Sequence, residues 1–289
     1  MIKIKIFEGG IMNKGCYNST HLKNAIIKCF NPNNVDIFYK NKLVYITDDG
    51  DEDFTHAIII NTAMPVLKIP KQNVIGLAWE PFVFLNIRQD FVNYAIKNIG
   101  KYYIGDKHNL PEPFIERYGF MTYYDIPKEI SQKNKKMSIV FSSKQFAYGH
   151  KYRHTLVNCI LQNKLPIDIY GRGCSLYNVN DERLKGEFTN EEPYSNYYFT
   201  IAIENFRCNH YFSEKIINPL LYNCRPIYLG CYNINTYLKD CPILLSGNIK
   251  YDMDVIVKIL LDPLTYYKNQ DIQTIIQPTN LLLNLDTLF

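Results

Sequence analysis

Residues 199–230 read F-T-I-A-I-E-N-F-R-C-N-H-Y-F-S-E-K-I-I-N-P-L-L-Y-N-C-R-P-I-Y-L-G, and they decide the fold class. One apolar run of strand length ends at Glu204-Asn205, and a second ends at Gly230. Between them, Ser213 is a residue type that caps helices, and the apolar residues after Lys215 suit a buried helix. Strand, helix and strand in succession predict an α/β domain.

The same alternation continues on both sides of this stretch. We expect further strands at Met137–Ser142, Pro166–Tyr170, Pro226–Leu229 and Ile243–Leu245, and helices around residues 156–161 and 252–261. A polar segment, residues 127–136, precedes this half and is typical of an interdomain linker.

Residues 1–125 form a second alternating pattern. Its expected strands are Ile2–Phe7, Val35–Tyr39, Leu43–Ile46, His56–Asn61, Val74–Ala78 and Tyr102–Ile104, with one helix over Leu85–Ile99. The sequence therefore predicts two α/β domains, residues 1–130 and 131–289, that form two lobes around a cleft. Ligands of open α/β sheets bind at the carboxyl ends of the strands.

Composition excludes several classes of protein. The 32 basic and 28 acidic residues leave a net charge of +4, too small to indicate a nucleic-acid partner. No apolar run reaches the roughly 18 residues of a membrane span, and residues 1–7 alternate as a strand does and not as a signal peptide. The eight cysteines include no C-x-x-C pair, so we expect buried thiols, no metal site and a cytoplasmic protein. The acidic run 48–53 lacks calcium-loop spacing and is expected to be a solvated loop.

The residues with the clearest chemistry follow the strand that begins at Phe199. Glu204 and Asn205 come at its carboxyl end, and Glu214 and Lys215 lie in the first turn of the next helix. A helix N-terminus suits a phosphate group. A lysine there opposes the helix dipole, which makes sense if an anion lies opposite it. The alternative is an ordinary solvated helix start.

Residues 198–230 resemble the donor-site signature of the glycosyltransferase family 10 fucosyltransferases. That signature is approximately Y-x-F-x-[IL]-x-[FI]-E-N, then Y-[IVF]-[ST]-E-K, then P-[IV]-x-x-G, and this chain has all three parts in order. Weaker similarities occur at Trp79-Glu80-Pro81, Val140–Ser143 with Arg153, and Asp168–Gly173.

The resemblance implies a GT-B fold, in which two Rossmann-like domains face each other across a cleft. It also implies an inverting transfer of L-fucose from GDP-β-L-fucose to a glycan hydroxyl, with α linkage and without an obligatory metal. Lys215 and Arg172 would hold the pyrophosphate, and Glu214 would accept the ribose hydroxyls. The other donor-site residues implied are Tyr211, Glu204, Asn205, Arg153 and Ser142. Glu80 would be the catalytic base.

Two positions depart from the family pattern, and other interpretations stay open. Pro219 falls inside the helix after Lys215, and Phe82 replaces the small polar residue of the Glu80 motif. A scaffold of this type can use another nucleotide deoxysugar, or it can bind sugar or nucleotide without turnover. Glu204 can have a structural role, and Glu80 can cap the following helix or pair with Arg88. The acceptor is not readable from the sequence.

Overall fold

The computed structural model describes residues 1–9, 15–16 and 19–289. Its residues group into two compact units. The N-terminal unit comprises residues 1–125, 208–211 and 277–289, and the C-terminal unit comprises residues 126–207 and 212–276. The expectation from the sequence gave all of 131–289 to the C-terminal domain, whereas residues 277–289 return to the first unit.

The returning segment is held by apolar burial and by hydrogen bonds. Asn280 Nδ2 donates to the carbonyl of Phe30 (2.8 Å), and Tyr103 donates its hydroxyl proton to the carbonyl of Leu288 (2.9 Å). Leu285 and Leu288 are buried. These contacts remove leucine side chains from water, which favours the return of the chain end.

The N-terminal unit contains an eight-stranded, mostly parallel sheet in the order β3-β4-β1-β5-β6-β7-β8, with β2 paired antiparallel to β1. Its strands are β1 Ile2–Gly9, β2 Gly15–Cys16, β3 Phe38–Tyr39, β4 Lys42–Ile46, β5 His56–Asn61, β6 Val74–Leu77, β7 Lys101–Ile104 and β8 Phe114–Glu116. Its helices are α1 Ser19–Phe30, α2 Phe82–Leu85 and α3 Gln89–Asn98, and the C-terminal return adds α9 Leu285–Leu288. All six residues of β5 are buried, as expected for a central parallel strand covered on both faces.

The C-terminal unit contains a six-stranded parallel sheet in the order β11-β10-β9-β12-β13-β14. Its strands are β9 Lys135–Val140, β10 Asp168–Tyr170, β11 Leu184–Gly186, β12 Tyr197–Ile203, β13 Arg225–Leu229 and β14 Ile243–Leu244. Its helices are α4 Tyr148–Gln162, α5 Glu214–Leu221, α6 Ile249–Leu261 and α7 Pro263–Tyr266. Helix α8, Ile272–Thr279, carries the chain from this unit back to the first.

Two predicted elements differ from the structure. The single helix expected over 85–99 is broken between α2 and α3 at Asn86, whose φ of 48° is left-handed. The strand expected at Val35–Tyr39 is reduced to β3, because Asn34 has a φ of 49° and Val35 is exposed. Asparagine adopts the left-handed region more readily than most residues, so it can end an apolar pattern without a glycine.

The acidic run 48–53 is held by lysines of its own unit. Lys23 Nζ lies 2.8 Å from Asp48 Oδ2, and Lys5 Nζ donates to the backbone carbonyls of Asp49 (3.1 Å) and Asp51 (2.6 Å). The run is a surface loop that β1 and α1 hold in place. In the described part of the chain, no helix is both long enough and apolar enough to cross a membrane.

Candidate functional site

The candidate site lies at the carboxyl edge of the parallel sheet in the C-terminal unit. Strands β9, β12 and β13 are adjacent and parallel, so the loops that follow them leave the sheet on the same side. Glu204 and Asn205 come directly after β12, and Gly230 comes directly after β13. This is the edge where open α/β sheets bind ligands.

Glu204 is the buried centre of the site. It is 1% exposed, and its carboxylate accepts from Ser213 N at 2.8 Å and from Ser213 Oγ at 2.7 Å. Burial raises the pKa of Glu204, although Lys215 Nζ, 3.7 Å from Oε2, acts in the opposite direction. A Cβ at Gly230 would lie 2.5 Å from Glu204 Cγ, so a larger residue there would displace this side chain. Glu204 therefore fixes the start of α5.

Helix α5 begins at an N-cap formed by Ser213. The Ser213 hydroxyl accepts from Lys215 N at 3.3 Å, as sequence reasoning anticipated. Lys215 Nζ donates to Glu214 Oε1 at 2.8 Å. Burial alone would raise the pKa of Glu214, but the neighbouring Lys215 lowers it. Burial alone would lower the pKa of Lys215, but Glu214 and Glu204 raise it. The pair is thus charged, and the Lys215 side chain keeps 22% of its surface exposed.

Helix α4 packs its first turn on the loop after β12. Gly149 N donates to Asn205 O at 3.0 Å, and a Cβ at Gly149 would lie 1.8 Å from Glu204 O. Only glycine permits this approach. Arg153, one turn later and 6% exposed, donates from Nε to Gly149 O (3.2 Å) and from an Nη atom to Asn205 Oδ1 (2.5 Å).

Arg153 and Lys215 bring two cations to the same site. The charge of Arg153 is close enough to Lys215 to oppose the rise in that lysine's pKa. A guanidinium offers several donors in a plane that matches phosphate oxygens, and the N-terminus of α5 adds the positive end of its dipole. The arrangement is chemically suited to an anion with two or more phosphate oxygens.

The other predicted donor-site residues are placed differently. Arg172 follows β10 at the same sheet edge, but its side chain is 81% exposed and pairs with Glu187 at 3.2 Å. Ser142 follows β9, and its carbonyl lies 3.0 Å from His154 Nε2. Tyr211 is buried and groups with the N-terminal unit. The structure brings Arg153, Asn205, Glu204, Glu214 and Lys215 together.

Glu80 lies at the carboxyl edge of the other sheet, three residues after the end of β6. The backbone N–H of the neighbouring Trp79 donates to Asn61 Oδ1 at 3.0 Å, so this turn is tied to the end of β5. Helix α2 begins directly after Pro81, its N-cap residue, so Glu80 lies two residues before the first helical residue. Glu80 is partly exposed.

Two residues of the site, Gly149 and His150, were not anticipated. Gly149 permits the contact with the loop after β12, and His150 is 3% exposed beside it. Neither carries a sequence signal of its own, because one glycine and one histidine before an apolar helix are common features. The signal available was a glycine at the start of a helix, where the missing Cβ often serves a close approach.

A cavity of about 830 Å³ lies at the opposite, amino-terminal edge of the same sheet, lined by several lysines. Two of its cations hold the ends of helices. Arg183 donates to the carbonyls of Ile160 and Leu165 at the end of α4, and Lys136 donates to Leu260 O at the end of α6. Cations at helix C-termini satisfy unpaired carbonyls and the negative dipole end, so these residues are structural.

Comparisons with known proteins match the part of the chain that contains the candidate site. Residues 130–241 match the model of the glycosyltransferase family 10 (fucosyltransferase) C-terminal domain. Over 166 residues the chain is 30% identical to protein R654 of Acanthamoeba polyphaga mimivirus, which is named as a proposed fucosyltransferase. The match covers 50% of this chain and 27% of that relative, so the chain spans only about a quarter of its length.

Solved structures extend the likeness in fold to the whole chain. The crystal structure of an alpha1,3-fucosyltransferase with GDP superposes with a TM-score of 0.54 at 12% identity, covering 99% of this chain and 92% of that one. The structure with GDP-fucose gives a TM-score of 0.51 at 13% identity, covering 97% and 82%. The two α/β units have the predicted GT-B type of fold, and residues 130–241 are similar to the C-terminal domain of glycosyltransferase family 10.

Proposed function

We propose that this protein is an inverting glycosyltransferase that moves L-fucose from GDP-β-L-fucose to a hydroxyl group of a glycan acceptor. The observation that carries the proposal is that two cations, Arg153 and Lys215, lie close together at the start of α5. Arg153 contacts Asn205 of the family's E-N motif, and Lys215 belongs to its S-E-K motif. The relatives named above support fucose as the sugar and GDP as the nucleotide.

In this proposal the two cations stabilise the leaving nucleotide. Negative charge grows on the β-phosphate as the bond to the sugar breaks, and fixed cations beside it lower the barrier. Glu214 lies at the same helix start and accepts ribose hydroxyls, while Glu204 stays buried and holds Ser213. Arg153 takes the role that the sequence reasoning gave to Arg172. No obligatory metal is proposed, because the cations occupy its role.

The acceptor hydroxyl must lose a proton as it attacks the anomeric carbon. We assign this step to Glu80, a carboxylate at a sheet edge of the N-terminal unit. Attack from the face opposite the leaving GDP converts the β-linked donor into an α-linked product. A general base of this kind contributes about 10²–10⁴-fold to the rate.

The test is a transfer assay on the full chain. GDP-β-L-fucose, GDP-mannose and UDP-glucose are incubated separately with a mixed glycan library, with and without EDTA, and products are detected by mass spectrometry. We expect products only from GDP-fucose, with α linkage, and the same yield in EDTA. Products from another donor would refute the fucose assignment. Loss of yield in EDTA, restored by Mn²⁺, would refute metal independence.

A further inference from the structure

Arg207 is a partly exposed cation at the carboxyl edge of the C-terminal sheet, and the proposed donor site does not use it. It lies in the loop after β12, two residues past Asn205. One of its Nη atoms donates to the carbonyl of Ser246 at 3.1 Å, and its Cζ lies 4.9 Å from the centre of the Tyr232 ring. Among the described residues, Arg207 has no ion pair with a carboxylate, and its buried Nε has no hydrogen-bond partner. The fold therefore holds this guanidinium in place without neutralising it.

The loop after β14 is shaped to hold the Arg207 side chain. Asp252, which is 1% exposed, accepts from Ser246 N (2.7 Å), Ser246 Oγ (2.8 Å) and Gly247 N (2.9 Å). Gly247 has a φ of 88°, and a Cβ there would lie 2.7 Å from Arg207 Nη1. Glycine suits both this backbone conformation and this close approach. The buried Asp252 thus positions the carbonyl that accepts from Arg207.

Two exposed tyrosine rings flank the guanidinium. Tyr232, in the loop after β13, is 61% exposed, and Tyr148, the first residue of α4, is 49% exposed. The Tyr148 hydroxyl donates to Gly247 O at 3.4 Å, so this ring contacts the loop that holds Arg207. Exposed aromatic rings and an arginine are the residue types that contribute most to recognition surfaces. The C–H face of a pyranose ring can pack on an aromatic ring, which has an apolar body.

Arg207 is distinct from the cations assigned to the diphosphate. Arg153 is the cation that acts most strongly on Lys215, and both charged neighbours Glu204 and Glu214 lie on that lysine as well. The charges of that cluster therefore offset one another, whereas the charge of Arg207 is not offset by a described carboxylate. A partly buried cation of this kind favours an anionic ligand over a neutral one.

We propose that Arg207, flanked by Tyr148 and Tyr232, binds a carboxylate of the acceptor, and that the acceptor is therefore an acidic glycan with a carboxylate on a sugar ring. This inference rests on the proposed function and names the class of its acceptor. The planar fork of a guanidinium matches the two oxygens of a carboxylate. The tyrosine rings offer their exposed surfaces to the sugar that carries it.

The experiment is an NMR titration of the full chain with oligosaccharides in matched pairs, with and without GDP. Each pair consists of a neutral glycan and its counterpart in which one hexose is replaced by the corresponding uronic acid. We expect the acidic member of at least one pair to bind about 10- to 100-fold more tightly, as is typical of hydrogen bonds between charged groups. The preference should shrink in about 0.5 M NaCl, because salt screens partly exposed charges.

Three variants separate the outcomes. Arg207→Gln should abolish the preference for the acidic member, and Arg207→Lys, which keeps the charge but loses the fork, should retain only part of it. Arg172→Gln is the matched control, because it removes an exposed guanidinium from the same sheet edge and should leave the preference unchanged.

No pair with a preference for the acidic member, or a preference that survives in Arg207→Gln, would overturn the inference. A loss of GDP affinity in Arg207→Gln equal to the loss of glycan affinity would also overturn it, since the guanidinium would then belong to the donor diphosphate. Failure of the wild type to transfer fucose, with binding of the acidic glycan intact, would refute the proposed function and leave the carboxylate site in place.

Discussion

Arg153 and Arg172 both follow strands of the same sheet, but only Arg153 lies beside Lys215. Replacing Arg153 with alanine should weaken GDP binding about 10- to 100-fold, since hydrogen bonds to charged groups contribute about 1.5–3 kcal/mol. Arg172→Ala should leave the affinity within about twofold, because its exposed pair with Glu187 contributes little. Titration calorimetry with GDP distinguishes the two. A larger loss at Arg172 would show that the exposed arginine turns toward the nucleotide.

Glu80 is assigned as the base on its place after β6 and on the family pattern. Glu80→Gln keeps the size and hydrogen-bonding capacity of the side chain but cannot accept the proton. Turnover should fall about 10²–10⁴-fold while GDP affinity stays the same. The measurement is steady-state transfer with GDP-fucose beside a GDP titration. Turnover close to that of the wild type would discard Glu80, and the buried Glu204 would be the next carboxylate to examine.

The sequence identified the residue types of the donor site but not all of their orientations. Glu204, Ser213 and Lys215 follow from one strand and one helix start, so local spacing is enough to place them. Arg172 and Arg153 follow different elements, and spacing cannot tell which guanidinium turns toward Lys215. That choice depends on Gly149, which lets α4 approach the Glu204 backbone.

At the scale of elements, the start of α5 depends on a single hydroxyl. Ser213→Ala removes the N-cap and also one of the partners of the buried Glu204 carboxylate. Denaturant unfolding should show a loss of about 2–3 kcal/mol, from the cap and from the under-satisfied carboxylate together. Asn248→Ala removes only the cap of α6 and should cost about 1 kcal/mol. Equal losses in the two variants would mean that Glu204 does not need Ser213.

His150 makes the stability of the fold at α4 depend on pH. The pKa of His150 is lowered by burial to about 4, and an unfolded histidine has a pKa of about 6.5. Between these values the unfolded chain binds the proton and the folded chain does not, so stability falls as the pH falls from about 6.5 toward 4. The group accounts for at most about 3 kcal/mol of that fall. Unfolding free energies of His150→Gln should therefore decline less than those of the wild type over this range. Parallel curves would show that the ring is already protonated in the folded state.

Element boundaries were predictable where burial alone decides them. Strand β5 has the predicted bounds because it is a continuous apolar run buried on both faces. The helix expected over 85–99 is interrupted at Asn86, which has a left-handed backbone. The apolar periodicity does not reveal this interruption, because it depends only on which residues are apolar. Pro219 lies within α5, which ends two residues later. The proline therefore does not prevent the first turn of this helix.

At the scale of the whole molecule, the sequence predicts two α/β units but not the return of residues 277–289 to the first. The partners of this segment are distant in sequence. Asn280 contacts Phe30, and Leu288 contacts Tyr103. Contacts of this kind are set by tertiary packing and carry no local pattern. The family resemblance, in contrast, is read from one contiguous stretch, and the matched residues 130–241 contain it.

The central claim is that the C-terminal unit binds a GDP-linked donor through Arg153 and Lys215. Its most direct test is the thermal unfolding of the wild type and of Lys215→Ala with GDP and with UDP. A ligand at 100 times its dissociation constant adds about 2.7 kcal/mol of stability, which raises the melting temperature by several degrees. The account predicts that GDP raises the melting temperature of the wild type, that UDP does not, and that Lys215→Ala loses most of the shift. Equal shifts with GDP and UDP, or a full GDP shift in Lys215→Ala, would contradict it.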